Sequence, residues 1–208
     1  MTKTFNTQVM VLQYLSGYIG KKQKISGAGR LVSDLKGLSK LAQQVVEESR
    51  EKVTDLMGFF RNFSHIIYLA SGGNYPIALE GALKIRETSY IASEVYYPME
   101  FGHGPMAIVD KDLAVIHLIS EGFAAEEQLK VAREIREKHG SNLIISNFKP
   151  ALEEFEYTVK LPKIRNKMIA PILFEIPLQL FAYNHCTSKG LDPDRPRGLS
   201  KVIILEKS

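Results

Sequence analysis

Glu80, Lys84 and Glu87 follow one another at i, i+4 and i+7. On a helix, at roughly 100° per residue, they share a stripe about 60° wide. A carboxylate–ammonium–carboxylate stripe can shuttle a proton and hold a developing oxyanion. The same spacing also describes a solvated salt-bridge ladder. Two features favour chemistry. The stripe begins just downstream of a glycine turn, and its helix is otherwise poor in charge, with Ala78, Leu79, Ala82, Leu83 and Ile85 on the other side.

The turn is Ser71-Gly72-Gly73-Asn74, between the apolar run Ile66–Ala70 and a helical pattern from Pro76 to about Tyr90. Small residues let backbone N–H groups approach an anion, and a helix N-terminus favours negative charge. A bare strand–helix connection wants glycine too, but ligands in open α/β sheets do bind at the carboxyl ends of strands. His103 sits in Glu100-Phe101-Gly102-His103-Gly104-Pro105. Fenced by glycine and proline, it has the setting of a proton shuttle near neutral pH, or of a structural loop residue. Of the other histidines, His65 and His139 fall at element ends, His117 inside an apolar strand and His185 late in a long helix. The C-terminal stretch Leu191–Lys201 is broken by Pro193, Pro196 and Gly198. Its Asp192, Asp194, Arg195 and Arg197 fit a surface network, and Lys201 reads locally as a tail lysine.

These residues need a frame. Helical spacing marks Phe5, Val9, Leu12, Leu15 and Ile19, then Leu31, Leu35, Leu38, Leu41 and Val45, with a short third helix at Val53–Phe60. Short apolar runs follow at Ile66–Ala70, Glu94–Tyr97, Leu113–Ile119, Leu143–Ile145 and Tyr157–Leu161. They alternate with helical patterns at 76–90, 125–138 and 168–188. Strands apolar on both faces and alternating with helices predict an α/β fold with a parallel sheet covered on both sides.

The bulk composition excludes several classes. The 208 residues are 45% hydrophobic and 24% charged, which predicts a folded core and not a disordered chain. A net charge of +4 without a basic run gives no nucleic-acid or membrane-surface signature. No segment has the roughly 18 apolar residues of a membrane span. One cysteine, Cys186, makes neither an intrachain disulfide nor a cysteine-based zinc site. No leader pattern opens the chain, and a cytoplasmic protein is expected.

Asn74-Tyr75-Pro76-Ile77-Ala78-Leu79-Glu80-Gly81-Ala82-Leu83-Lys84-Ile85-Arg86-Glu87 resembles the second sugar-isomerase (SIS) domain of the glutamine–fructose-6-phosphate aminotransferases. Glu100 to Asp110, Ile169 to Tyr183 and Asp194 to Lys201 agree with it in order. The N-terminal Thr2–Gln8 is similar to a late helix of that family's first SIS domain. The resemblance implies a three-layer α/β/α SIS domain at 49–200, preceded by helices at 1–48 and followed by a tail at 201–208. It implies that the family's glutaminase and most of its first SIS domain, which carries the phosphate-gripping loop, are absent.

The resemblance also implies roles. Lys201 forms an imine with the sugar carbonyl, Glu87 moves a proton between carbons 1 and 2, and Lys84 is a supporting cation beside Glu80. His103 assists ring opening from a neighbouring subunit. Ser71, Gly72, Gly73, Asn74 and Glu80 are expected to contact substrate. The expected ligand is fructose 6-phosphate or glucosamine 6-phosphate, with no cofactor and no metal. A homodimer is expected, because the stripes of 5–19 and 31–45 would otherwise be exposed. A partner chain with the glutaminase and first SIS domain is a further expectation. The alternatives are a non-catalytic sugar-phosphate-binding regulatory module and an inactive fragment.

Overall fold

The computed structural model describes residues 2–198, with side chains from Thr4 onward. Lys201 lies outside the described residues. Five parallel strands form one sheet: β1 His65–Ala70, β2 Ala92–Tyr96, β3 Ala114–Ile119, β4 Ser141–Ser146 and β5 Thr158–Lys160. Their order is β2-β1-β3-β4-β5. The chain therefore reverses direction across the sheet between β1 and β3, which places a switch point at their carboxyl ends. Every residue of β3 is buried, as are five of the six in β1 and in β4. That is why these strands read as unbroken apolar runs.

Among the described residues, eight α-helices accompany the sheet: α1 Thr2–Lys22, α2 Ala28–Lys36, α3 Leu38–Phe60, α4 Tyr75–Ser89, α5 Pro98–Gly102, α6 Ala125–Glu137, α7 Lys149–Glu154 and α8 Ala170–Ser188. One face of the sheet, with Ile66, Tyr68, Ile116 and Leu143, packs into the main core with α3, α4 and α8. The opposite face, with Ile67, Leu69 and Val115, packs against Phe101 of α5 and Val131 and Ile135 of α6. The result is the three-layer α/β/α arrangement expected. Each fully buried leucine or phenylalanine of these cores contributes roughly 1.5–3 kcal/mol.

The N-terminal helices differ from expectation. The pattern at 31–45 is split at Gly37, and its second half continues without a break to Phe60. The stripe at 5–19 is also phased differently. Phe5 and Val9 pack on the core, but Leu12, Leu15 and Ile19 are exposed. The buried face of α1 includes Gly17 and Gly20. A Cβ at either position would fall 2.8 Å from a side chain of α2, Val32 or Ala28 respectively. Small residues thus set the close α1–α2 approach, and the large apolar side chains are left outside. The stripe at 31–45, by contrast, is covered: Leu31, Leu35, Leu38 and Val45 are buried.

Candidate active site

Helix α4 starts with proline in its first turn, where no N–H partner is lost, and ends at Tyr90, whose φ of 59° stops it. Two contacts pin it to β2: Ser93 Oγ donates to the carbonyl of Ala82 at 2.8 Å, and Arg86 Nη1 to the carbonyl of Ser93 at 3.3 Å. A third element, α8, lies close along it, so that a Cβ on Gly81 would meet Leu178 Cδ1 at 2.7 Å. Glycine there is a requirement of packing.

The polarity of α4 is inverted relative to an ordinary surface helix. Leu79 and Leu83 are 45% and 38% exposed, whereas Lys84 is 8% exposed. The charged stripe is tucked toward α8. Lys84 Nζ lies 2.8 Å from Glu87 Oε2 and 3.2 Å from Glu80 Oε1. Burial on its own would lower the Lys84 pKa. The hydrogen bond that it donates to Glu87 and the charge of Glu80 outweigh burial and hold the ammonium above the usual lysine value. Lys84 is therefore a fixed cation and a poor nucleophile.

A groove of about 230 Å³ opens beside this triad, lined by Lys84, Glu87, Thr88, Gln179, Tyr183 and the Pro193–Pro196 segment. The segment is anchored next door, where the Arg197 N–H donates to Tyr90 Oη at 2.7 Å and the Arg197 guanidinium lies 4.1 Å from the Tyr90 ring centroid. Beneath the triad, Glu175 of α8 is fully buried and accepts a hydrogen bond from Gln179 Nε2 at 3.1 Å. Burial pushes its pKa up to about 8. Gln179, Tyr183 and Glu175 were not singled out by sequence reasoning. A lone acid in the apolar run 168–178 was the available signal for Glu175.

The sequence-predicted residues fall into three places. Ser71, Gly72, Gly73 and Asn74 line a crevice of about 260 Å³ at the carboxyl ends of β1 and β3. The resemblance assigns these residues and Glu80, Lys84 and Glu87 to one substrate, but none of those three lines this crevice. Helix α4 runs back from it, so Glu87, thirteen residues beyond Asn74, is about 20 Å down the helix. Only the amino end of α4 touches the crevice. A hexose phosphate is too short to touch both. His103 follows α5 and is exposed in a third hollow with Glu127, Lys130 and Glu134 of α6. It sits on the opposite face of the sheet from α4, so it does not meet Glu87 within one chain. His117 and His185 are fully buried, and burial lowers both to about 4.

The parallel 2-1-3-4-5 order defines a doubly wound α/β fold, and the lysine bridged between two carboxylates lies on the helix that follows its first strand. Residues 59–188 match the SIS domain, and the chain belongs to that family. It is 38% identical over 207 residues to a glutamine–fructose-6-phosphate aminotransferase [isomerizing] of Buchnera aphidicola and 36% identical over 212 residues to that of Pseudomonas aeruginosa. Each match covers 99% of this chain and 34% of the relative, so the chain spans about a third of their length. The C-terminal domain of the Francisella tularensis glucosamine-fructose-6-phosphate aminotransferase superposes with a TM-score of 0.84 at 29% identity, covering 92% of this chain and 55% of that one. A Thermotoga maritima glucosamine-6-phosphate deaminase shares the fold, with a TM-score of 0.76 at 22% identity over 99% of this chain and 57% of that one. Among the described residues no helix is long and apolar enough to cross a membrane.

Proposed function

We propose that this chain is the isomerase-type SIS module of a sugar-phosphate aminotransferase system, acting on fructose 6-phosphate or glucosamine 6-phosphate in the cytoplasm. The observation that carries the reading is the half-buried Glu80–Lys84–Glu87 triad facing a groove, in a chain whose relatives along nearly its full length are isomerizing aminotransferases. Glu87 moves a proton between carbons 1 and 2 of the sugar. Lys84, held charged, stabilises the enediol oxygen, and Glu80 fixes Lys84 from the far side. Lys201 supplies the imine. Its role rests on the resemblance, and the anchoring of Arg197 next to the groove, four residues earlier, supports it.

In this reading the helices at 1–48 and the tail at 201–208 flank an SIS unit at 49–200. A second copy of the chain completes the site with His103, which the sheet separates from Glu87 in its own subunit. The exposed Met10, Leu12, Leu15 and Ile19 of α1, and Leu79 and Leu83 of α4, support assembly with a second copy or with the remainder of an aminotransferase. The non-catalytic reading draws on one observation: Glu87 already accepts a hydrogen bond from Lys84 at 2.8 Å, so one of its oxygens is occupied by its own neighbour.

Solvent-deuterium incorporation at carbon 1 of fructose 6-phosphate separates the two. It should be measured for the full chain with and without the remaining portion of a relative supplied as a separate polypeptide. Exchange is expected with that portion present, together with a borohydride-trapped sugar adduct that Lys201→Ala abolishes. Saturable sugar-phosphate binding without exchange under either condition would assign the chain to the regulatory module.

A further inference from the structure

The groove beside the triad holds a neutral side chain that proton transfer leaves unused. Lys84 is committed to Glu80 and Glu87, and Thr88 Oγ1 donates to the carbonyl of Lys84 at 2.8 Å. These bonds all stay within α4. Gln179 comes to the groove from α8, and its Nε2 donates to Glu175 Oε1 at 3.1 Å, one turn back along the same helix. A planar amide whose nitrogen is turned to Glu175 turns its carbonyl away, and half-buried Gln179 lines the groove.

Glu175 is an unusual anchor. It is fully buried, and its second oxygen, Oε2, has no hydrogen-bond partner among the described residues. A buried polar atom left unpaired costs stability, and a leucine in the same place would not. The groups of other elements that face Glu175 are Glu80 and Lys84 of α4 and Tyr68 of β1, whose phenol is itself buried. Helix α3, packed into the same core, buries no titratable side chain. Burial, with Glu80 adding to it, outweighs Gln179 and Lys84 and keeps the carboxyl neutral at pH 7. A neutral anchor has a use here. It accepts from Gln179 without setting a negative charge under the oxyanion that Lys84 stabilises.

A ketose phosphate brings hydroxyls whose configuration differs between epimers. An amide fixed in direction can read one of them, because a misplaced hydroxyl leaves it unpaired. The nearest hydroxyl beyond carbons 1 and 2 is that of carbon 3.

We infer, on the reading that proton transfer takes place in the groove, that Gln179 is a specificity-determining residue which hydrogen-bonds the carbon-3 hydroxyl of the sugar, and that Glu175 is a positioning residue which sets the direction of its amide. The hydroxyl donates to Gln179 Oε1 while Gln179 Nε2 stays on Glu175. An epimer inverted at carbon 3 points its hydroxyl elsewhere and leaves the amide carbonyl without a donor.

The test compares fructose 6-phosphate with its carbon-3 epimer, using the full chain with the remaining portion of a relative supplied as a separate polypeptide. Calorimetry gives Kd, and carbon-1 deuterium exchange gives kcat and KM. Wild type is expected to favour fructose 6-phosphate by about tenfold or more in Kd and KM. Gln179→Leu is expected to lose that preference, weakening fructose 6-phosphate about tenfold and leaving the epimer unchanged. Glu175→Leu, which removes the anchor, is expected to lose it equally, and the double variant no further. Glu175→Gln keeps an acceptor for the amide and should retain the preference at pH 7. Its exchange should also hold above about pH 8, where wild type slows as Glu175 ionises beneath Lys84.

Equal preference in wild type and Gln179→Leu would overturn the hydroxyl contact, even where exchange is normal. Preference lost in Gln179→Leu but intact in Glu175→Leu, or like pH profiles in wild type and Glu175→Gln, would overturn the positioning role. A Gln179-dependent preference in Kd without exchange would keep the contact and reject proton transfer in the groove. Neither preference nor exchange would reject both.

Discussion

Two ion clusters in this molecule are near mirror images. On α4 one cation, Lys84, sits between two carboxylates. Across α6 and α7 one carboxylate, Glu154, sits between two cations: it pairs with Arg133 at 2.8 and 2.7 Å through both oxygens and with Arg136 at 3.0 Å. By geometry the second is the better salt bridge, bidentate and planar. Its side chains are 26–50% exposed, however, against 11–17% for the α4 triad, and it borders no groove among those described above. Short distances thus do not identify the site. What distinguishes the α4 triad is ionic groups withdrawn from water at a concave surface, while neighbouring leucines stand in solvent. That arrangement costs stability, and a function explains its presence.

If burial is the difference, then breaking the two clusters has unequal consequences. Lys84→Met leaves Glu80 and Glu87 facing each other without a cation, and should cost about 3 kcal/mol at pH 7 in denaturant unfolding. A cost under about 1 kcal/mol would place the triad with ordinary surface pairs. Glu175→Gln should have a smaller effect of opposite sign. The raised pKa of Glu175 means that its contribution is fully present below about 4.5 and gone once the pH passes about 8. The variant should therefore gain on the order of 2 kcal/mol over wild type at pH 8, and little at pH 4. Equal melting temperatures across that range would show that Glu175 is not held as a neutral acid.

The smallest effect belongs to the exposed cluster. Glu154→Gln should cost about 1 kcal/mol or less. Arg133 chiefly, and Arg136, hold the Glu154 carboxyl below its ordinary value. Its contribution is therefore present above about 4.5 and lost as the pH falls through the folded value. Added salt should erase it, whereas the Lys84→Met penalty should persist.

The sheet was legible because its signal is local. Ile66–Ala70, Leu113–Ile119 and Leu143–Ile145 are apolar on both faces, and only a strand covered on both sides wants that pattern. The stripe on α4 was legible for the same reason: i, i+4 and i+7 fix which side chains share a face. What that face points toward is not local. Ser71 and Glu87 are sixteen residues apart in sequence and looked like one site, but a helix converts those residues into about 20 Å of separation. The groove draws on Gln179, Tyr183 and the Pro193–Pro196 segment, about a hundred residues further along, and no periodicity announces that contact. The phasing of α1 failed for a related reason. Gly17 and Gly20 carry no apolar weight, so the pattern pointed to the large side chains that the fold leaves outside.

The central claim is that the α4 triad performs proton transfer on a sugar phosphate. It is tested most directly by the rate of deuterium uptake at carbon 1 of fructose 6-phosphate in the complemented system, compared among wild type, Glu87→Gln and Glu154→Gln. Glu87→Gln keeps the shape of the side chain and removes the base. It should slow exchange by about two orders of magnitude or more, with sugar-phosphate binding little changed. Glu154→Gln should exchange at the wild-type rate. Equal exchange by wild type and Glu87→Gln would contradict the account.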